Sequence, residues 1–116
     1  MKFETLNGTI SISNEVFTSV AGAAAINCFG VKGMAVRSKT DGLVHLLRRE
    51  SMAKGVKLTF HEDRSVSIEL HIIVDNGVNL TALCTSIMNE VRYKVSQATR
   101  VVVRSVDVCV DSMLLG

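Results

Sequence analysis

The chain has 116 residues, 47% apolar but only 4% aromatic, and carries a net charge of +2 at neutral pH. That length suits one domain, 1–116, since two would each lack a sufficient core. The weak, interspersed charge gives no basis for a nucleic-acid or anionic-membrane partner, and the absence of proline and of low-complexity stretches argues against disorder.

The first residues, Met1 to Gly8, contain no apolar signal region, and no apolar run approaches the ~20 residues of a membrane span. Cys28, Cys84 and Cys109 are widely spaced and odd in number, with no C-x-x-C pair, and read as reduced thiols. A cytoplasmic protein without direct membrane insertion is expected.

The first element predicted is a strand, Thr9 to Ser13, with Ile10 and Ile12 buried. A helix follows, opened by Ser13 or Asn14 and stopped at Gly30. Val16, Phe17, Val20, Ala21, Ala24 and Cys28 share its apolar face, and Ile26 falls on the opposite, exposed side. Gly22 and the alanines around it keep the side chains small enough for close packing on a sheet. Val31 to Arg37 reads as a second strand. After a turn at Thr40-Asp41-Gly42, the spacing of Leu43, Leu46 and Leu47 predicts a short helical turn that fades through Arg48 to Lys54 and closes at Gly55.

Val56, Leu58 and Phe60 alternate with polar residues, and so do Val66, Ile68, Leu70, Ile72 and Val74. Two strands of an antiparallel hairpin result, joined around Glu62 to Ser65. Ile73 interrupts the polar side and is expected on the open face. Asn79 caps a second helix to about Ala98, with Leu80, Leu83, Cys84, Ile87, Val91, Val95 and Ala98 inward. The last strand, Val101 to Val110, points Val106, Val108 and Val110 inward and Asp107 and Cys109 outward. The order β-α-β-(α)-β-β-α-β defines an α+β fold: a two-layer α/β sandwich with two main helices on one face of a mostly antiparallel or mixed sheet.

No catalytic constellation emerges from these elements. The polar sheet face gathers Ser11, Ser13, Thr59, His61, Ser67, Glu69, His71, Asp107 and Cys109, a set that invites a metal-site reading. If Glu62 pairs with Val66, however, His61 faces Ser67 and Lys57 faces His71. The two imidazoles then stand about 13 Å apart at strand rise. Zinc ligands lie ~2 Å from the ion, so no metal and no cofactor is expected. Cys109 lacks an activating base. Gly30-Val31-Lys32-Gly33 has the G-x-x-G form that clamps nucleic-acid backbone between two helices. With the basic pair Arg48 and Arg49 it supports an alternative nucleic-acid-binding reading. Here a strand is expected after the motif, which favours a helix-to-strand turn. Ile73, Glu69, His71, Thr59, Asp107 and Ile26 are the candidate interaction residues.

The ordered series Gly8 to Val16, Cys28 to Met34, Asp41-Gly-Leu43, Leu46 to Glu50, Lys54-Gly-Val56, Ile72 to Gly77 and Ser105 to Val108 resembles the alkaline shock, or envelope stress response, proteins of Gram-positive bacteria. The likeness is nearest their small YloU-like branch and spans about Gly8 to Met113. It implies a non-enzymatic role in envelope stress or homeostasis. It also implies partners: the protein itself, as a homo-oligomer, and a membrane-anchored protein that recruits it to the inner face of the membrane. Relatives carry Thr-Gly after the second helix where this chain has Thr99-Arg100, so Arg100 must take a left-handed cap or the helix must end differently.

Overall fold

A computed structural model of the chain describes residues 1–37 and 42–114, the side chains of 49 and 50 excepted. It opens with a hairpin, β1 (Lys2–Thr5) and β2 (Gly8–Ser11), which pair only with each other among the described strands. Ile10 is therefore 44% exposed, not a core residue as the alternation suggested, whereas Ile12, just past β2, is half-buried and packs against the core. A two-stranded ribbon has no second layer to bury its apolar side.

α1 (Asn14–Ile26) follows, with Ser13 at its N-cap. It buries Phe17, Ala21, Gly22, Ala24 and Ala25. The Met52 side chain lies 3.5 Å from where a Cβ on Gly22 would sit, so this glycine serves a close contact with a neighbouring 3₁₀ helix. Ile26 is half-buried and packs against the core, which corrects its expected exposure.

β3 (Val31–Arg37) runs as expected. The helical turn expected around Leu43 to Leu47 is instead a strand, β4 (Val44–Leu46), paired antiparallel with β3. The helical segment comes later, as the 3₁₀ helix Arg49–Gly55. Of the preceding turn, Thr40 and Asp41 lie outside the described residues.

β5 (Val56–Phe60) and β6 (Val66–Asp75) form the expected hairpin, but Phe60 pairs with Val66 and Lys57 with Glu69. The ladder is thus offset by two residues from the predicted one. The His61 amide donates to the Ser65 carbonyl, closing a three-residue loop whose last member, Arg64, has φ 70°. α2 (Leu80–Thr99) is capped by the Asn79 side chain, which accepts from the Ala82 amide at 3.0 Å. It buries Leu83, Ile87, Val91, Val95 and Thr99, whereas Leu80 and Ala98 are exposed. Arg100 ends it in the left-handed conformation, φ 62°. β7 (Val103–Leu114) then pairs parallel with β6, the arrangement that a helical crossover permits.

The described strands of the main sheet are β4, β3, β6, β5 and β7, with β6 at the centre. β7 flanks one side of β6 along its length. On the other side, β5 pairs with Val66 to Leu70 and β3 takes over from Ile72 to Val74. Val66, Ile68, Leu70, Ile72 and Val74 point into one core with Phe17, Met34, Ile87, Val91 and Val95. Phe17 meets Phe60 edge to face at 5.3 Å. Both α-helices cover this one face, giving the two-layer α+β architecture.

Candidate functional site

The strand register decides what stands on the face away from the helices. Cross-strand partners share a face. Lys57, Glu69 and Asp107 therefore form one row across β5, β6 and β7, and Thr59, Ser67 and Ser105 form the next. His71 stands beside Cys109. Thr59, Glu69, His71 and Asp107 are thus brought to one face, Thr59 and Asp107 exposed and Glu69 and His71 half-buried.

Ile73 belongs to the same face but is only 4% exposed, which corrects its expected role as an exposed contact. Its cross-strand partner is Gly33, and a Cβ built on Gly33 would stand 2.8 Å from Leu46 Cδ1. Leu46 therefore lies in the space that Gly33 leaves open beside Ile73. The cover comes from β4, the strand read as a helical turn. Ile26, on α1, is remote from this face in the fold and contributes to the core side.

His71 occupies a seam. It falls between the last residue of β6 paired with β5, Leu70, and the first paired with β3, Ile72. A shallow cavity of about 300 Å³ opens there, lined by His71 and Asp111 with Ala35, Val36, Arg37, Lys54, Gly55 and Lys57. On the β7 side the register slips, so that Ile72 pairs with Val110 but Ile73 with Ser112. Asp111 is the extra residue of this bulge, and its carboxylate accepts from His71 Nδ1 at 2.9 Å. His71 Nε2 donates at 2.9 Å to Glu69 Oε2.

Donation from both ring nitrogens to carboxylates describes an imidazolium. Burial opposes its charge, but the bonds to Glu69 and Asp111 outweigh burial and raise the His71 pKa above its ordinary value. Burial also raises the Cys109 thiol pKa, helped by the charges of Glu69, Asp111 and Asp107. Cys109 is thus a protonated, unactivated thiol. Ligand atoms of Glu69, His71 and Cys109 all lie within 4.8 Å of one another, so these three side chains could share an ion. His61, the other histidine weighed from sequence, bonds Ser67 Oγ at 2.7 Å and is not part of that group. Sequence reasoning missed Asp111 because the predicted strand stops at Val110; continued along β7, the alternation of Asp107 and Cys109 places Asp111 on the same face.

The G-x-x-G segment has other work. Gly30 takes φ 102°, and a Cβ there would meet Val78 Cγ1 at 2.9 Å. Gly33 lies within β3, so the segment joins a helix to a strand. Arg48 is exposed; the Arg49 side chain lies outside the described residues. A second feature that sequence reasoning missed is Phe29, 99% exposed at the edge of a groove of about 750 Å³ between the end of α1 and the start of α2. No described helix is long and apolar enough to cross a membrane.

Residues 2–115 match the alkaline shock protein family, described by its cell envelope-related function, and the chain belongs to that family. This agrees with the resemblance read from the ordered motifs. Among curated proteins it is 35% identical over 114 residues to "Uncharacterized protein YloU" of Bacillus subtilis (strain 168), covering 97% of this chain and 94% of that one. It is 30% identical over 114 residues to "Uncharacterized protein Spy1614" of Streptococcus pyogenes serotype M6, covering 97% and 93% respectively. No solved structure matches the chain.

Proposed function

We infer that this protein serves the cell envelope as a non-enzymatic interaction module, self-associating or docking on a membrane-associated partner through the open sheet face. The observation that supports this reading is the layering itself. Both α-helices pack on one side of the sheet, leaving Thr59, Glu69, His71 and Asp107 on a face that neither of them covers. The outer edge of β7, twelve residues long, is also taken by no described strand, and an open edge is a pairing template. Family membership adds the envelope context.

Light scattering after size-exclusion chromatography, over a concentration series, tests the self-associating arm. A mass above the monomer is expected, reduced by Thr59→Lys with Asp107→Lys and unchanged by Glu4→Lys on the exposed β1 strand. A strict monomer at every concentration removes self-association, and the docking arm is then tested by pull-down from membranes with the same variants. Equal capture by native and double-variant protein would overturn the assignment of the face.

A further inference from the structure

We propose that Glu69, His71 and Cys109 form a zinc site on the open sheet face, with Asp111 as the outer carboxylate that orients the imidazole. The inference is separate from the interaction reading and stands if that reading fails.

The donor set comes first. An imidazole nitrogen, a thiolate sulfur and a carboxylate oxygen are the three protein ligand types of zinc, and a mixed N, S, O set suits its borderline softness better than calcium or magnesium. Around tetrahedral zinc, with bonds of ~2.0 to ~2.3 Å, neighbouring ligand atoms stand about 3.3 to 3.6 Å apart. Here the three candidate atoms already lie within 4.8 Å of one another, and His71 Nε2 is 2.9 Å from Glu69 Oε2. Side-chain rotations alone can open one separation and close the others, because all three residues project from rigid, paired strands of one sheet.

A zinc-bound histidine commonly donates its other ring N–H to a carboxylate, which fixes the tautomer and raises ligand basicity. Asp111 accepts from His71 Nδ1 at 2.9 Å, leaving Nε2 on the side of Glu69. Asp111 sits at the β7 bulge, on the face that Asp107 and Cys109 share with His71.

His71 lies at the seam where β5 gives way to β3, and Glu69, His71 and Cys109 are each only half-buried, so the three donors are reachable from solvent. A fourth coordination position is left for water or an incoming donor. Three cations stand nearby: Lys57 across the ladder from Glu69, and Lys54 and Arg37 along the cavity, Arg37 donating to the Gly42 carbonyl. Asp107, on the other flank of Glu69, adds negative charge. Binding exchanges the Cys109 thiol proton and the His71 Nε2 proton for the metal, and both protons pass to solvent.

The test uses the full chain without a polyhistidine tag, titrated with Zn²⁺ against a chromophoric chelator and separately with Co²⁺. One equivalent of each metal is expected, and the Co²⁺ form should show a thiolate-to-cobalt charge-transfer band. Cys109→Ser should abolish the band, while Cys28→Ser and Cys84→Ser leave it intact. His71→Gln should abolish stoichiometric binding, and Asp111→Asn should weaken it about 10- to 100-fold without removing it. Circular dichroism checks that each variant is folded. If native protein binds no stoichiometric Zn²⁺, or the cobalt band survives Cys109→Ser, the proposal is overturned and the cluster is a hydrogen-bonded ion-pair network only.

Discussion

Three residues carry sharp consequences for stability. Ile73 is 4% exposed on the face that otherwise meets solvent, so truncation removes buried methyl groups beside Leu46. Ile73→Ala should destabilise by about 2 to 4 kcal/mol in chemical denaturation, whereas Thr59→Ala on the same face should fall within about 0.5 kcal/mol. Equal, small effects would return Ile73 to the surface. Arg100 ends α2 at φ 62°, a conformation that disfavours any side chain by about 1 kcal/mol or more. Arg100→Gly should therefore raise stability by about 1 kcal/mol, read as a shifted denaturation midpoint at constant slope. Asp63 accepts from the Ser65 hydroxyl and the Ser65 amide and lies 3.2 Å from Arg104, which together hold its pKa down at about 2. Because the folded pKa lies below the unfolded value of roughly 3.9, its contribution is complete above that value and lost as pH falls toward 2. A carboxyl-detected NMR titration should show the low pKa in native protein and a rise toward the ordinary range in Ser65→Ala. A native value near 4 would contradict the hydrogen-bonded loop.

The elements differ in how far the sequence announces them. Alternation in Val66 to Val74 and the four-residue spacing of Leu83, Ile87, Val91 and Val95 are direct prints of burial on one side. Those elements were legible. The β5–β6 pairing was legible in its faces but not its partners, because a slip of two residues preserves which side each chain faces. That slip matters to the site, since it sets Lys57 opposite Glu69 and leaves His71 at the seam. β4 was illegible because three leucines at helical spacing fit a helical turn as well as a half-buried edge. The bulge at Asp111 has no sequence signature of its own. β1 went unseen because Lys2–Thr5 is short and mostly exposed, with only its hairpin partner to define it. That isolation makes a prediction for amide exchange. Amides of β1 and β2 should exchange well before those of Val66 to Val74, which are flanked on both sides and buried beneath two helices. Equal protection would mean that the hairpin opens only with the whole domain.

At the scale of the molecule, shape and charge are both uneven. The described chain measures 55 × 32 × 23 Å, an elongated body for its length. The β6–β7 half of the open face carries Glu69, Asp107 and Asp111 beside the His71 imidazolium, while Lys57, Lys54 and Arg37 gather on its β3–β5 side; the whole chain has a net charge of +2. Basic charge is therefore in excess elsewhere, as where exposed Lys94 and Arg100 flank Tyr93 near the end of α2. Two copies meeting through their β6–β7 halves would appose like charges, Asp107 among them. A copy laying its acidic face on the basic helix surface of the next would appose opposite ones. The second contact joins unlike surfaces and propagates unless its rotation closes a ring. Screening then sets the sign of the salt response, because the Debye length contracts from about 10 Å at 0.1 M salt to about 3 Å at 1 M. Head-to-back association should weaken as salt rises across that range, so the mass-average molecular weight from light scattering should fall. Asp107→Lys should lower it further at low salt. A mass that instead grows with salt, and grows on Asp107→Asn, would identify face-to-face contact relieved of repulsion and would fix the assembly as a closed pair.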